Sequence, residues 1–172
     1  FTTNAVSVLE NSNTVSFTVV RTGSTNTSMT VGCVAVDGTA VNGQDYFWTS
    51  NLLTFAAGVR STNISLVISN DTEVELSETF TMVLTSASTG AVLGTFSTNV
   101  VTIVDNDLRI QWAYTTTSVA ESAGAVTLAV TRTGATNLTN TVAYTFTAGT
   151  ATAGLDYTAT NGSLTFAPGE TN

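Results

Sequence analysis

The chain of 172 residues contains no histidine and no lysine, and its only basic side chains are four arginines. Without histidine, a Ser-His-Asp or Cys-His catalytic mechanism is excluded, and the commonest zinc ligand is missing. Twelve acidic residues give a net charge of -8. Nucleic acid and anionic membrane surfaces are therefore poor partners, because binding phosphate requires clustered Lys and Arg.

Cysteine and long apolar runs are also scarce. Cys33 is the only cysteine, so no disulfide can form within the chain, and its setting in Val31-Gly-Cys-Val-Ala-Val predicts a buried strand residue. No apolar run approaches the ~18 residues of a membrane-spanning helix, and Phe1-Thr-Thr-Asn does not begin a signal peptide. We therefore expect no direct membrane insertion and an excised or mature piece of a longer protein.

The chain is rich instead in Val, Thr, Ser and Asn, which favour strands and turns, and its 42% of apolar residues suffices for a core. Alternating apolar residues, with no helical period, predict seven strands. These are Ala5–Leu9, Thr14–Arg21, Met29–Val36, Asn51–Phe55, Thr62–Ile68, Thr79–Leu84 and Thr95–Val104. We predict an all-β, immunoglobulin-like antiparallel β-sandwich with seven strands per full repeat.

The strand pattern then starts again. Four motifs recur 111 residues later: Val8-Leu-Glu10 as Val119-Ala-Glu121, Val20-Arg21-Thr-Gly23 as Thr131-Arg132-Thr-Gly134, Asp45-Tyr46 as Asp156-Tyr157, and Leu53-Thr-Phe55 as Leu164-Thr-Phe166. Such a period indicates tandem domains. We predict a complete sandwich over residues 1–107 and the N-terminal half of a second over 108–172, with strands matching those from Ala5 to Phe55 and none after.

A half sandwich leaves an apolar face and open strand edges. Each chain holds two front halves and only one back half, so copies of this chain alone cannot close every sandwich. We therefore expect a fragment of a longer repeat protein.

The acidic residues are concentrated in Asn70–Glu78, which holds four of the twelve. Acids this crowded repel one another, and a fold tolerates them when a cation lies among them or when the loop is fully solvated. In a sandwich, the loops after alternate strands gather at one end. This end can therefore bring together Glu10, Asp45, the acidic loop and Asp105-Asn-Asp107. The residues alone do not decide whether a cation lies among these acids or the loop is solvated.

These motifs resemble a known family. The pattern comprises Asp45-Tyr46, Leu53-Thr-Phe55 with Gly58, the D-x-x-x-E-x-x-E-x-F run from Asp71 to Phe80, and Val101-Thr-Ile-Val-Asp-Asn-Asp107. Together they look like the Calx-beta domain, a module of sodium-calcium exchangers and of large bacterial surface proteins. The resemblance covers one full copy and a half copy.

The resemblance implies a calcium site with seven acidic ligands. Carried onto this sequence, they are Glu10, Asp45, Asp71, Glu75, Glu78, Asp105 and Asp107. Asn70 stands where calcium-binding members often carry another Asp, and Asn106 where some carry a third, which implies fewer ions or weaker affinity. The second repeat keeps only Glu121 and Asp156 of this set.

The chemistry of the set agrees with calcium, which takes roughly six to eight oxygen ligands in flexible geometry. Zinc or iron would require His or Cys, whereas magnesium competes but prefers a small octahedral cage. In the alternative interpretation, the acids cap turns and solubilise one end of the fold without an ion. Paired carboxylates also occur in glycosidases, but so dense an acidic cluster does not keep one partner selectively protonated.

We therefore expect a non-catalytic, calcium-binding structural or adhesive repeat module of a secreted or cell-surface protein, in which calcium stiffens the joint between repeats at Asp107 and Leu108. Its expected partners are other repeats of the same protein, neighbouring copies, or a cell-surface or matrix ligand. The alternatives are a subunit of an extracellular filament or a passive spacer repeat, in both of which calcium is incidental.

Overall fold

The computed structural model describes residues 1–172, and its regular structure is almost entirely β-strand. The strands are β1 (Ala5–Leu9), β2 (Thr14–Val20), β3 (Met29–Asp37), β4 (Tyr46–Phe47), β5 (Asn51–Phe55), β6 (Ser61–Ile68), β7 (Glu78–Ala87), β8 (Thr98–Val104), β9 (Leu108–Trp112), β10 (Val130–Gly134), β11 (Asn140–Tyr144) and β12 (Gly162–Phe166). Two single-turn 3-10 helices span Glu10–Ser12 and Glu121–Ala123. Neither they nor any other helix could span a membrane. The predicted all-β class is confirmed.

The chain divides into two compact units, Phe1–Asn106 and Asp107–Asn172. The first unit consists of a five-stranded sheet in the order β1-β8-β7-β3-β5 and a three-stranded sheet in the order β2-β6-β4. β1 and β8 run parallel, and all other neighbours are antiparallel. This arrangement places the first and last strands of the unit side by side.

Side chains from both sheets form the core of the first unit, as the alternation along each strand requires. In β2 the buried positions are Val15, Phe17 and Val19, and the polar residues between them are exposed or half-buried. Tyr46 stacks on Phe80, with ring centroids 3.9 Å apart. Cys33 is fully buried, as predicted, and burial raises the pKa of its thiol to about 11.

The predicted strands match the first unit closely. Ala5–Leu9 and Asn51–Phe55 have the predicted bounds, whereas β8 begins at Thr98 rather than Thr95 and β7 continues to Ala87. The prediction missed β4, because a strand of two residues is too short to show an alternating pattern.

The second unit repeats the local hydrogen bonds of the first. The Gly43 amide donates to the Tyr46 carbonyl over 2.7 Å, and 111 residues later the Gly154 amide donates to the Tyr157 carbonyl over 2.8 Å. The 3-10 turn after β1 also recurs at Glu121, and Gly124 adopts a positive φ of 77° where the first copy has Asn13 at 63°. The repeat is therefore one of backbone conformation as well as of sequence.

The prediction for the second unit was wrong in two places: the strand that matches Thr14–Arg21 begins only at Val130, and the strand that matches Ala5–Leu9 is missing. The counterpart of Ala5–Leu9, residues 116–120, is not a strand. In the first unit, β1 pairs with β8, and the 172 residues contain no counterpart of β8. The segment therefore has no partner strand within the sequence, and an unpaired strand is not stable. The second unit instead contains β9, which pairs with β10, and its other sheet is β11 with β12.

A buried arginine organises the second unit. Arg132 is only 1% exposed, and its guanidinium lies 5.4 Å from the ring centroid of Phe166. It donates five hydrogen bonds, to the carbonyls of Thr136, Leu138, Ala167 and Glu170 and to Oδ1 of Asn140. A buried cation is tolerated when each of its donors is satisfied in this way. One side chain thus ties the end of β12 to the start of β11.

Candidate metal centre

One end of the first sandwich carries the acidic residues, because each of them follows or precedes a strand that ends there. Glu10 comes directly after β1, Asp45 directly before β4, and Glu78 is the first residue of β7. The loop between β6 and β7 supplies Asp71 and Glu75, and the segment after β8 supplies Asp105 and Asp107. We call these seven residues the acidic pole.

Six of the seven acids form two groups of three. Glu10, Asp71 and Asp107 make one triad, and Asp45, Glu75 and Glu78 make the other. Within each triad, one carboxylate oxygen per residue lies within 4.8 Å of the other two. Calcium binds oxygens at ~2.3–2.6 Å, so two oxygens that share an ion are at most about 5 Å apart. Each triad therefore has the spacing of ligands to one such ion.

Asp105 belongs to neither triad but lines a pocket together with members of both. Its Oδ2 accepts a hydrogen bond from the Glu75 amide over 2.9 Å. With Glu10 and Glu78 it lines a pocket of about 10 Å³, which is roughly the room that one water molecule needs. Asp105 thus positions the acidic loop at the pocket.

Hydrogen bonds to the carboxylates fix the course of the acidic loop. The Asp71 amide donates to Oε1 of Glu10 over 2.8 Å, and the Glu73 amide donates to Oδ1 of Asp71 over 2.7 Å. Glu10 is only 7% exposed, so the loop closes over it. The acidic loop is therefore held against the sandwich rather than extended into solvent.

The crowding of acids alters their titration. The pKa of Glu78 is raised to about 7. Burial is the largest cause, and the charge of Asp45 and a hydrogen bond to Asp45 add to it. Burial also raises the pKa of Glu75, and the charges of Asp71, Asp45 and Asp105 add to the effect. Both shifts mean that negative charge is unfavourable here, which is the condition that a bound cation relieves. The expectation that so dense a cluster keeps no single carboxyl selectively protonated is wrong for Glu78.

Asp45 also has a structural role. Its Oδ2 accepts the Val41 amide over 2.7 Å and closes the turn before β4. In the second unit, Oδ2 of Asp156 accepts the Thr152 amide over the same distance. The aspartate before the tyrosine is thus needed for the turn in both repeats, whether or not an ion is present.

Sequence reasoning missed the role of Asp37. This side chain accepts hydrogen bonds from the Tyr46 hydroxyl and, over 2.9 Å, from the Asn42 amide. Both bonds lower the pKa of Asp37, and the bond from Tyr46 has the larger effect. Asp37 therefore anchors the tyrosine next to Asp45, and the signal for it was an acid at the end of a strand shortly before the Asp-Tyr pair.

The family model for the Calx-beta domain matches the chain twice, over residues 1–107 and 105–172. The chain belongs to the Calx-beta family. The solved structures that it resembles include the apo form of the Calx CBD1 domain, at 31% identity and TM-score 0.59, which covers 60% of this chain and 92% of that one. No curated protein sequence matches the chain.

Two tandem structures resemble nearly the whole chain. CBD12 from CALX1.2 is 29% identical, with a TM-score of 0.63, over 98% of this chain and 68% of that one. The calcium binding domain CBD12 of CALX1.1 is 28% identical, with a TM-score of 0.63, over 98% of this chain and 69% of that one. The predicted resemblance to tandem Calx-beta domains is confirmed.

The two Calx-beta copies differ in their acids. The first copy, taken as the matched residues 1–107, contains all seven residues of the acidic pole, whereas Glu121 and Asp156 of the second copy join no group of three acids. Two Asn lie beside these acids, and Asn106 accepts the Asn11 amide through Oδ1 over 2.9 Å. Asn70 donates from Nδ2 to the Asp71 carbonyl over 3.0 Å. Both Asn thus stabilise the pole without adding charge.

Proposed function

We propose that the chain is a non-catalytic calcium-binding module whose first Calx-beta repeat holds two calcium ions, one in each carboxylate triad. The observation that carries this proposal is the grouping of six acids into two sets of oxygens within 4.8 Å. The seven predicted ligands then divide by role: Glu10, Asp71 and Asp107 hold one ion, Asp45, Glu75 and Glu78 hold the other, and Asp105 positions the loop between them.

Calcium suits the triads better than other divalent ions. Every group at the pole is an oxygen donor, which disfavours zinc and iron. Three carboxylates leave room for backbone carbonyls and waters to complete the roughly six to eight ligands of calcium. Magnesium demands a near-ideal octahedron at ~2.0–2.1 Å, which carboxylates already engaged with backbone amides do not readily form.

The ion also has a mechanical role in this proposal. Asp105 and Asp107 end the first repeat, and Leu108 begins β9 with no linker between them. Calcium bound by Asp107 therefore restrains the backbone where the second repeat begins. Loss of calcium leaves repelling acids at the same place, so the joint loosens. Calcium in this way stiffens the connection between repeats.

We place this module in a secreted or cell-surface protein, where its partners are other repeats, neighbouring copies, or a cell-surface or matrix ligand. Large apolar side chains that remain exposed in the second unit, such as Leu138 and Leu155, support contact with a further repeat. In the alternative role, the chain is a filament subunit or a spacer in which calcium is incidental.

Calorimetric titration of the chain with calcium, with magnesium as the control, tests the proposal. We expect two calcium equivalents and a rise in melting temperature that chelator reverses, because a ligand that binds only the folded state stabilises it. Spin labels on the two repeats should show a distance distribution that narrows with calcium. Absence of binding heat overturns the ion sites, and binding without narrowing overturns only the mechanical role.

A further inference from the structure

Four residues on and beside the loop between β3 and β4 form a network next to the acidic pole. Asp37, the last residue of β3, accepts hydrogen bonds from the Tyr46 hydroxyl and, over 2.9 Å, from the Asn42 amide. Asn42 bonds in turn to the backbone of Trp48, because its Nδ2 donates to the Trp48 carbonyl over 2.7 Å and its Oδ1 accepts the Trp48 amide over 3.0 Å. We call Asp37, Asn42, Tyr46 and Trp48 the loop clamp, and the calcium proposal makes no use of it.

The second Calx-beta copy makes the same turn without the loop clamp. The backbone bridge between Asn42 and Tyr46 recurs between Ala153 and Tyr157. At the counterparts of the other clamp residues, however, the second copy has only alanine, at Ala148, Ala153 and Ala159. The turn therefore does not depend on the clamp, whose effect lies in what it packs against.

The loop clamp fixes Tyr46 against the start of β7. Tyr46 is fully buried, and its ring stacks on Phe80 with the centroids 3.9 Å apart. Phe80 also lies opposite Asp37 in the antiparallel pairing of β3 with β7. The same loop is bonded to β7 once more, since the Thr79 amide donates to Oγ1 of Thr39 over 2.8 Å. Stacking has no fixed direction in the ring plane, so the bond to Asp37 sets where the Tyr46 ring lies along β7.

The two stacked rings are close in sequence to two acids of the pole. Asp45 directly precedes Tyr46, and Glu78 lies two residues before Phe80, on the same face of β7. A carboxylate oxygen of Asp45 lies within 4.8 Å of one from Glu78. The stack therefore determines how far apart these two acids stand. We call Asp45, Glu75 and Glu78 the Glu78 triad, and Glu10, Asp71 and Asp107 the Glu10 triad.

We propose that Asp37 is a positioning residue for the calcium ion of the Glu78 triad and that it acts through Tyr46; this inference rests on the proposed function. The bond between the Asp37 carboxylate and the Tyr46 hydroxyl holds the ring on Phe80. The stack in turn fixes the separation of the Asp45 and Glu78 carboxylates before the ion binds. Ligands that are already in place lose less conformational freedom when the ion binds, so the calcium affinity rises.

The Glu10 triad provides an internal control. Its oxygens are brought together by the acidic loop, since the Asp71 amide donates to Oε1 of Glu10 over 2.8 Å. The loop between β3 and β4, which carries the clamp, contributes no ligand to this triad. Loss of Asp37 should therefore weaken the binding of one calcium ion and spare the other.

Calorimetric titration of calcium into Asp37→Ala, with the parent chain alongside, tests this role. We expect one of the two ions to bind about tenfold more weakly and the other to keep its affinity within about twofold, since only one triad loses its restraint. Asp37→Asn keeps an oxygen that accepts the Tyr46 hydroxyl, so both affinities should return to within about threefold of the parent. Tyr46→Phe keeps the stack without the hydroxyl and should match Asp37→Ala. Combined in one chain, Asp37→Ala and Tyr46→Phe should weaken the ion no further than either alone.

Hydrogen exchange in chelator gives a readout that does not depend on calcium. The Ser69 amide donates to the Asp45 carbonyl over 2.9 Å, and we expect it to exchange several-fold faster in Asp37→Ala and Tyr46→Phe but not in Asp37→Asn. Two ions weakened equally, additive losses in the double variant, or unchanged exchange at Ser69 would overturn the positioning role alone. A parent chain that binds no calcium overturns the proposed function and this inference together. If Asp37→Ala fails to fold, Tyr46→Phe, which keeps the buried ring, decides the same question.

Discussion

The two Calx-beta copies share the turn before their Asp-Tyr pair, and they differ in how many acids of the ion site lie within residues 1–107 and 108–172. Asp45 and Asp156 close the same turn with the same 2.7 Å hydrogen bond. In the first copy, the acidic loop and Asp105 and Asp107 come from the back half, whose counterpart lies outside residues 108–172. The front half therefore sets the position of an acid, whereas the back half supplies the charges that make a binding site.

A second contrast concerns the arginines at matching positions. Arg132 has all of its guanidinium nitrogens bonded, whereas Nη1 of Arg21 is buried without a hydrogen-bond partner. The counterpart of Asn140, which accepts from Nη1 of Arg132, is Met29, a side chain with no strong acceptor. The guanidinium is thus fully hydrogen-bonded in the second copy and only partly hydrogen-bonded in the first.

The largest effect should come from removing these cations. Arg132→Met leaves five acceptors without their donor, and we expect a loss of about 3–5 kcal/mol, seen as lost hydrogen-exchange protection in β10 and β12. Arg21→Met should cost about half as much, because fewer bonds are lost and Nη1 no longer needs a partner. Equal losses of stability from Arg132→Met and Arg21→Met would contradict the organising role of Arg132 in the second unit.

Removal of charge from the acidic loop should give the next largest effect. Glu75→Gln with Glu78→Gln takes two charges from one triad, and we expect the loss of one calcium equivalent. The stabilisation lost is about 2.7 kcal/mol at a calcium concentration one hundred times the dissociation constant. The matched control, Glu121→Gln with Asp156→Asn in the second copy, should leave calcium binding unchanged. Unchanged stabilisation in the first pair would mean that its acids only solubilise the pole.

The pH dependence of the calcium-free chain should be smaller but distinctive. The folded pKa of Glu78, about 7, lies above its ordinary value of 4.5, so its contribution to stability is complete below 4.5 and is lost as the pH rises through 7. We expect the melting temperature in chelator to fall between pH 5 and 8. Calcium should reverse the fall, and Glu78→Gln should flatten the curve in chelator. A melting temperature that rises over this range would refute the assignment.

The smallest effect should separate the two roles of the turn aspartate. Asn keeps the oxygen that accepts the turn amide, so Asp45→Asn and Asp156→Asn should each change calcium-free stability by less than about 0.5 kcal/mol. Calcium affinity should fall only for Asp45→Asn. Melting curves in chelator and calcium titrations measure the two quantities separately, and a weaker calcium affinity in Asp156→Asn would contradict the assignment of the sites to the first copy.

The sequence predicted those parts of the fold that depend on local pattern. Alternation found β1 and β5 to the residue, and the identical spacing of four motifs found the repeat. It failed for residues 116–120, because a strand also needs a partner, and the partner of β1 lies about 95 residues away along the chain. The local sequence pattern does not show whether that partner strand is present.

The candidate site was predicted as a set but not as an arrangement. Strand-end positions and the family resemblance named seven acids, and their assignment as ligands stays a prediction. The division into two triads, and the separate place of Asp105, depend on backbone bonds from the loop that composition does not reveal. The burial of Arg132 had a visible signal, since the Arg-Thr-Gly motif recurs with the 111-residue spacing at Arg21 and Arg132.

The parallel pairing of β1 with β8 has a consequence for how the first repeat is made. Val6 pairs with Val101, so the first strand of this repeat must wait for nearly the last strand of the same repeat before it can pair. Contacts so distant in sequence slow folding, because a long loop must close before they form. Until β8 emerges, β1 has no partner strand in the nascent repeat. Synthesis order, and not stability alone, then determines how long strand edges stay open to wrong partners.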